Sequence, residues 1–420
     1  MLNILFLTTS NLATNPRLLK EVQAASLKYR TSILCFQLGN WSDALDAQLL
    51  STIPNVTINY IPGHRKKFLP WLLTTVAHKV AVKLWPLFTK NAFLAAIASN
   101  KRSLQLYCHL LLHKKKYAAS DFLVAHNLGA LYPAQQLSRW LDVPFTFDVE
   151  DYHPGERIVH DTRQEKTRRE LLMQSLLPKA RFVTAASPLI SAEVETLAGV
   201  KVQYISNSFY SSEFAFADPS AQEEVKFVWF SQNISHGRGL ELLLTALDKI
   251  AFKFSLTLIG NLYEAFAKEW IAGRAYIKVL PPMEQAALHK QLATYDIGLA
   301  LEISEVDLNK QLALSNKIFA YLQAGLFVVA TDTRAQEQLL QQLPGHGLIS
   351  QQTEEDMRKS VIFVLDHLAR IREEKEKRFE NAFSLAYERE EKLLLSLWDG
   401  LVSKAHHEES NHSNPTFSPL

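Results

Sequence analysis

The chain has 420 residues, with 45 Lys and Arg against 43 Asp and Glu, for a net charge of +2. Apolar residues make up 47% and charged residues 21%, which excludes a disordered or fibrous chain; at about 150 residues per domain, two or three domains fit. The two cysteines, Cys35 and Cys108, exclude a disulfide framework and lead us to expect a reducing, cytoplasmic compartment.

The opening apolar run has no Lys or Arg before it and no clean small-residue cleavage site after it. It reads as a buried parallel strand rather than a signal peptide. Strand-like runs at 4–8, 31–36, 56–61, 122–125, 144–147 and 182–185 alternate with helical stretches such as 16–29 and 131–141. Within this series, residues 47–120 hold no Asp or Glu but eleven bases: Arg65, Lys66, Lys67, Lys79, Lys83, Lys90, Lys101, Arg102, Lys114, Lys115 and Lys116. That segment is +11, so the rest of the chain is 2 − 11 = −9. Phe68, Trp71, Trp85, Phe88 and Phe93 lie among the lysines. Residues 64–116 therefore suit a helix lying in an anionic membrane interface; core-packed helices with solvated lysines fit the pattern equally. No spanning helix is expected, because the best candidate, 68–99, is interrupted by His78, Lys79, Lys83, Pro86 and Lys90.

After a looser region at 207–224, a second series follows. Its strands fall at 226–230, 255–259, 276–280, 297–301, 326–330 and 347–349, and its helices at 240–251, 283–294, 316–324, 335–342 and 354–370. Two doubly wound domains are expected, 1–205 and 206–385. Residues 373–402 read as one long charged helix with an apolar end at Leu393, Leu394, Leu395, Leu397 and Trp398; its part 386–404 needs a docking surface, which the first domain would supply. The tail 405–420 reads as disordered, and its His406, His407 and His412 as solvated rather than metal-binding.

Ligands of open α/β sheets bind where strands lead into helix N-termini. Two such loops stand out. In 231–241, Gly237 and Gly239 allow close backbone approach and Arg238 adds a cation, which suits a diphosphate; a turn with a solvated Arg is the alternative. In 313–333, Ser315 or Asn316 caps a helix and Lys317 falls in its first turn. A Lys there opposes the helix dipole unless an anion is present, so the conflict itself marks a site.

The stretch Asn316-Lys317, Tyr321, Ala324-Gly325, Val328-Val329-Ala330-Thr331-Asp332 resembles the signature of the retaining, nucleotide-sugar-dependent glycosyltransferases of family 4. Further similarity lies in Asn15-Pro16-Arg17, Phe147-Asp148-Val149-Glu150-Asp151, Ile205-Ser206-Asn207, His236-Gly237-Arg238-Gly239 with Leu242-Leu243-Leu244 and Ala246, Leu258-Ile259-Gly260, Leu280-Pro281-Pro282-Met283 and Tyr295-Asp296-Ile297. The chain departs from the pattern in several places. The family's two glutamates would fall near Leu312 and Ala320, its upstream Arg near Gln232 or Asn233, its His at Glu150 and its Pro at Phe327; Arg238 replaces a Lys.

The resemblance implies a GT-B fold, α/β with two Rossmann-like domains facing across a cleft. It implies transfer of a sugar from a nucleotide-diphosphate donor to a glycan or lipid-linked acceptor, with no cofactor; no Asp-x-Asp stands in a metal-site context, so no metal is expected. Arg238, Lys317, Glu150 and Asp151 are then the catalytic candidates. Gly237, Gly239, Gly260, Pro282, Ser315 and Asn316 would bind donor, and Asn11, Arg17 and His126 acceptor. Nucleic acid is not expected as a partner, since no recognition motif is present. The alternative is a catalytically inactive relative that binds a nucleotide sugar or scaffolds glycan assembly.

Overall fold

A computed structural model describes residues 1–40, 42–51, 53–218 and 224–412. The chain divides into two compact units, one of Met1–Ile205 with Glu391–Leu420 and one of Ser206–Glu390.

The first unit is built on seven parallel strands: β1 (Asn3–Thr8), β2 (Arg30–Gln37), β3 (Val56–Pro62), β4 (Phe122–His126), β5 (Phe145–Val149), β6 (Val183–Ala185) and β7 (Val202–Tyr204), in the order β3-β2-β1-β4-β5-β6-β7. Central strands such as β4 and β5 are buried at every position, as parallel strands covered on both faces must be. The order reverses between β1 and β4, which opens a crevice at their carboxyl ends. β7 escaped the sequence reading: it has three residues, all only half-buried, and no apolar run marks it.

The second unit carries six parallel strands: β8 (Val225–Ile234), β9 (Phe254–Leu262), β10 (Ile277–Leu280), β11 (Ile297–Ala300), β12 (Phe327–Thr331) and β13 (Gly347–Ser350), in the order β10-β9-β8-β11-β12-β13. Here the reversal falls between β8 and β11. Strand β8 runs four residues past the expected end at 230. A register shift between Phe230 and Asn233 lets it rejoin β9 through Asn233 and Asn261, and the Asn261 amide donates to the Gln232 carbonyl at 2.9 Å. Gly260 sits at this bulge with φ +154°, and a Cβ there would lie 2.3 Å from the Ser231 carbonyl oxygen.

The single long helix expected over 373–402 is broken. Helix Lys375–Asn381 is followed by a 3-10 turn, Ala382–Leu385, and a new helix starts at Tyr387. The cause is local. Ala386 is extended, the Tyr387 amide donates to the Phe209 carbonyl at 2.9 Å, and Glu388 accepts from the amide and hydroxyl of Ser211 at 2.9 and 2.6 Å. The helix runs to His412, and the remainder of the polar tail, 413–420, lies outside the described residues. In the first unit, Trp398 of this helix is fully buried against Phe6, Tyr29 and Phe122, with ring centroids 6.0–6.3 Å apart, and Asp399 accepts from the Tyr29 hydroxyl at 2.6 Å.

Candidate functional site

In the second unit the two loops singled out by sequence converge on one residue, Leu301, just past β11. Gly239 (φ +80°) caps helix Leu240–Leu247, and a Cβ there would stand 3.0 Å from the Leu301 Cβ. On the other side the Lys317 ammonium donates to the Leu301 carbonyl at 3.5 Å. Lys317 lies in the first turn of helix Asn316–Gln323, as expected, and its ammonium lies 5.4 Å from the centre of the Trp229 ring.

The anion that answers the conflict at this helix start is Glu302, which sequence reading missed. Its carboxylate pairs with Lys317 at 3.1 Å and with Lys310 at 3.0 Å. Burial pushes the Glu302 carboxyl up, but the two ammoniums outweigh it and hold it down to about 2. Glu302 lies 15 positions before Lys317, with Glu305 and Asp307 close behind it, so nothing local singles it out and only the fold brings it to Lys317.

Arg238 is exposed at the tip of its loop, and the neighbouring Gly237 amide donates to Glu241 at 2.7 Å. Ser315 caps the Lys317 helix by position, yet its hydroxyl is buried without a hydrogen-bond partner. Asn316 is the first helical residue, and Pro282 lies exposed in the loop after β10. Gly260 has a structural need for glycine at the bulge. Leu312 and Ala320, where the family's glutamates would fall, are fully buried in the core.

In the first unit, polar residues gather at the carboxyl ends of β1, β4 and β5. Asn15 caps helix Pro16–Lys28 by accepting from the Leu18 amide at 2.9 Å, with Pro16 pre-set for the first turn. This places Arg17 inside the protein, 4% exposed, where the resemblance implied an Arg facing the acceptor. Its guanidinium forms a two-pronged pair with Asp148 and donates to the Ile205 carbonyl at 2.7 Å. His126 is also fully buried. Its Nε2 lies 3.1 Å from Glu21 and its Nδ1 2.9 Å from Glu150. Burial pushes the imidazole down, but Glu21, Glu150 and Asp148 together raise it to about 10, so it is a cation at neutral pH. Burial raises the Glu21 carboxyl, whereas Arg17 and His126 more than offset burial at Asp148 and lower it.

Glu21, His126 and Asp148 place ligand atoms within 4.8 Å of one another, a spacing that a metal ion can use. The donor set argues otherwise: Arg17 occupies both Asp148 oxygens, and His126 is held as a cation. Asn11 is buried too, its amide 3.5 Å from Asp46.

Glu150 is the member of this network that reaches the surface. It accepts from Asn15, His126 and Asn127 and still lines a cavity of about 230 Å³. Asp151, His153, Glu156 and Arg169 line the same cavity. Sequence reading missed His153 and Arg169. The Nδ1 of His153 faces Glu156 at 3.0 Å while its Nε2 is buried without a partner, and Arg169 reaches the cavity from helix Thr162–Leu176.

No protein-family model matches the chain, and no curated protein matches it. Many solved structures do. A glycosyltransferase from Rickettsia africae is 13% identical with a TM-score of 0.64, over 96% of this chain and 98% of that one. The Anabaena protein HepE, solved in complex with UDP, is 14% identical with a TM-score of 0.64, over 94% of this chain and 100% of its own; it has also been solved with UDP-glucose. A putative UDP-N-acetylglucosamine 2-epimerase from Listeria monocytogenes is 10% identical with a TM-score of 0.55, over the full length of both chains. Identities this low establish architecture alone. With its two parallel, doubly wound sheets of seven and six strands, the chain has the GT-B fold.

Proposed function

We propose that the protein is a nucleotide-sugar-dependent glycosyltransferase of the retaining kind. It would move a hexose from a nucleoside diphosphate to a glycan or lipid-linked acceptor, without a metal, in polysaccharide biosynthesis on the inner face of a membrane. The observation that carries this reading is the convergence on Leu301 of the Gly237-Arg238-Gly239 loop and the Lys317 helix start, at the point where the order of the second sheet reverses.

In this reading Lys317, Arg238 and amides near Gly237, Gly239 and Asn316 receive the diphosphate. The bond from the anomeric carbon to the diphosphate breaks as the acceptor oxygen bonds to the same carbon, and the acceptor's proton leaves on the departing phosphate. Preorganised cations and amides stabilise the charge that develops there. Glu150 and Asp151 orient the acceptor in the first unit, and the Arg17–Asp148 and His126–Glu21 pairs hold Glu150 in place from beneath.

The inactive alternative draws on Leu312 and Ala320, which supply no carboxylate where the family has two. One experiment separates the readings. UDP-, GDP- and ADP-sugars are offered to the wild type, Lys317→Ala and Arg238→Ala, and both nucleotide release and melting temperature are followed. Release by the wild type that falls at least tenfold in both variants supports the transferase. Stabilisation by a nucleotide without release from any donor supports the inactive binder. Neither response from the wild type removes both readings.

A further inference from the structure

Helix Phe68–Leu84 wears its apolar face outward. Of its 17 residues only Thr74 and Ala81 are buried. Leu69, Leu72, Leu73, Val76, Val80 and Leu84 lie 3, 4, 7, 11 and 15 positions along from the first, which aligns them on one side of a helix, and all six are exposed, Leu73 by 60%. The opposite side meets the protein through a small contact: Ala81 packs with Ile97 and Ala98 beside the half-buried Val82, and His78 Nδ1 lies 2.8 Å from the Ile97 carbonyl oxygen. A helix that had only to cover its own unit would be turned the other way. The stripe continues past the helix end in Leu87, 74% exposed, and Phe88.

Charge surrounds the stripe on one sign only. Lys66 and Lys67 precede the helix, Lys79 and Lys83 lie along it, and Lys90 follows. The neighbouring helix Lys101–His113 ends in exposed Leu111, Leu112 and His113, directly before Lys114, Lys115 and Lys116. No Asp or Glu occurs from 47 to 120. Solvent alone gives no reason for exposed leucines, and a protein partner would need acids set at matching points. A continuous anionic surface with an apolar interior satisfies both halves of the pattern at once. No helix among the described residues is long and apolar enough to cross a membrane, so the contact is with one leaflet.

We propose that helix Phe68–Leu84 and the turn after it form a docking face for an anionic lipid bilayer. The leucine and valine stripe lies in the headgroup boundary and the lysines engage lipid phosphates. The proposal rests on the transferase reading only for what the docking would serve.

Flotation of the full chain with vesicles of phosphatidylcholine alone, or with roughly one-third phosphatidylglycerol, tests it without any sugar donor. The wild type is expected to float with the anionic vesicles at low salt, to be weakened by high salt, and to leave the neutral vesicles bare. Leu73→Glu with Val80→Glu should cut binding at least tenfold, with an unchanged circular dichroism spectrum because both side chains are exposed. Lys79→Glu with Lys83→Glu should do the same by charge alone. Absence of wild-type binding at low salt, equal binding to both vesicles, or binding unaffected in both variants overturns the proposal. A concentration-dependent dimer dissolved by the first variant overturns it in favour of a second copy of the chain. Nucleotide release is read in a separate tube, so failure of the transferase reading and failure of this one are distinguishable.

Discussion

The two units share a topology and use charge at corresponding strand ends in opposite ways. In the first, Arg17 and His126 are buried cations locked by Asp148, Glu21 and Glu150, and only Glu150 of that network reaches the cavity. In the second, Arg238 stands exposed and Lys317 is matched by the single carboxylate of Glu302, itself shared with Lys310. One network encloses its cations and leaves a carboxylate at the cavity; the other leaves Arg238 exposed and pairs Lys317 with Glu302. The proposed function uses this difference, with an acceptor-orienting carboxylate in one half and diphosphate-receiving cations in the other.

Substitutions can break or sharpen this contrast. The largest effect is expected at Arg17, where Arg17→Met strips the buried Asp148 of its two-pronged partner and leaves it the Thr184 hydroxyl and His126 at 3.7 Å; urea unfolding of the first unit should lose about 3 kcal/mol. One buried group in each unit titrates toward an opposite end of the pH scale. The raised pKa of His126 means its contribution is full below its ordinary value of 6.5 and is lost as pH rises through about 10. The lowered pKa of Glu302 means its contribution is present above 4.5 and is lost as pH falls toward about 2, a change worth roughly 3 kcal/mol. Glu302→Gln should flatten the acid limb of a stability–pH curve and leave the alkaline limb in place. Lys317→Ala should weaken nucleoside-diphosphate binding by about 1.5–3 kcal/mol, read by calorimetry, if that cation receives the diphosphate. Gly239→Ala forces a side chain into a left-handed backbone against Leu301 and should cost about 1–2 kcal/mol in the second unit's unfolding. Arg238→Ala, at an exposed loop tip, should change stability by less than about 0.5 kcal/mol.

Sequence patterning carried most of the fold because buried parallel strands announce themselves as apolar runs. Eleven strands other than β7 and the overlong β8 were located within a few residues. The failures have physical causes. β7 has no buried run, β8 gains its extra length from a bulge that no local pattern predicts, and the break at Ala386 comes from Phe209, far away in sequence. At the candidate site, residues tied to helix starts and glycine turns were legible: Gly239, Ser315, Asn316 and Lys317. Residues defined by distant partners were not. Arg17 reads as an acceptor contact until Asp148 is placed beside it, and Glu302, His153 and Arg169 have no local mark at all.

The path of the final helix sets an order of assembly during synthesis. Trp398 fills a space against Phe6, Tyr29 and Phe122, so the first unit to leave the ribosome is the last to be completed. The whole of Ser206–Glu390 must be made in between, roughly 10–40 s at ordinary elongation rates. Throughout that interval the nascent first unit carries an open apolar hole where the tryptophan will sit, a natural target for chaperones. A chain cut short at 390 would keep that hole permanently.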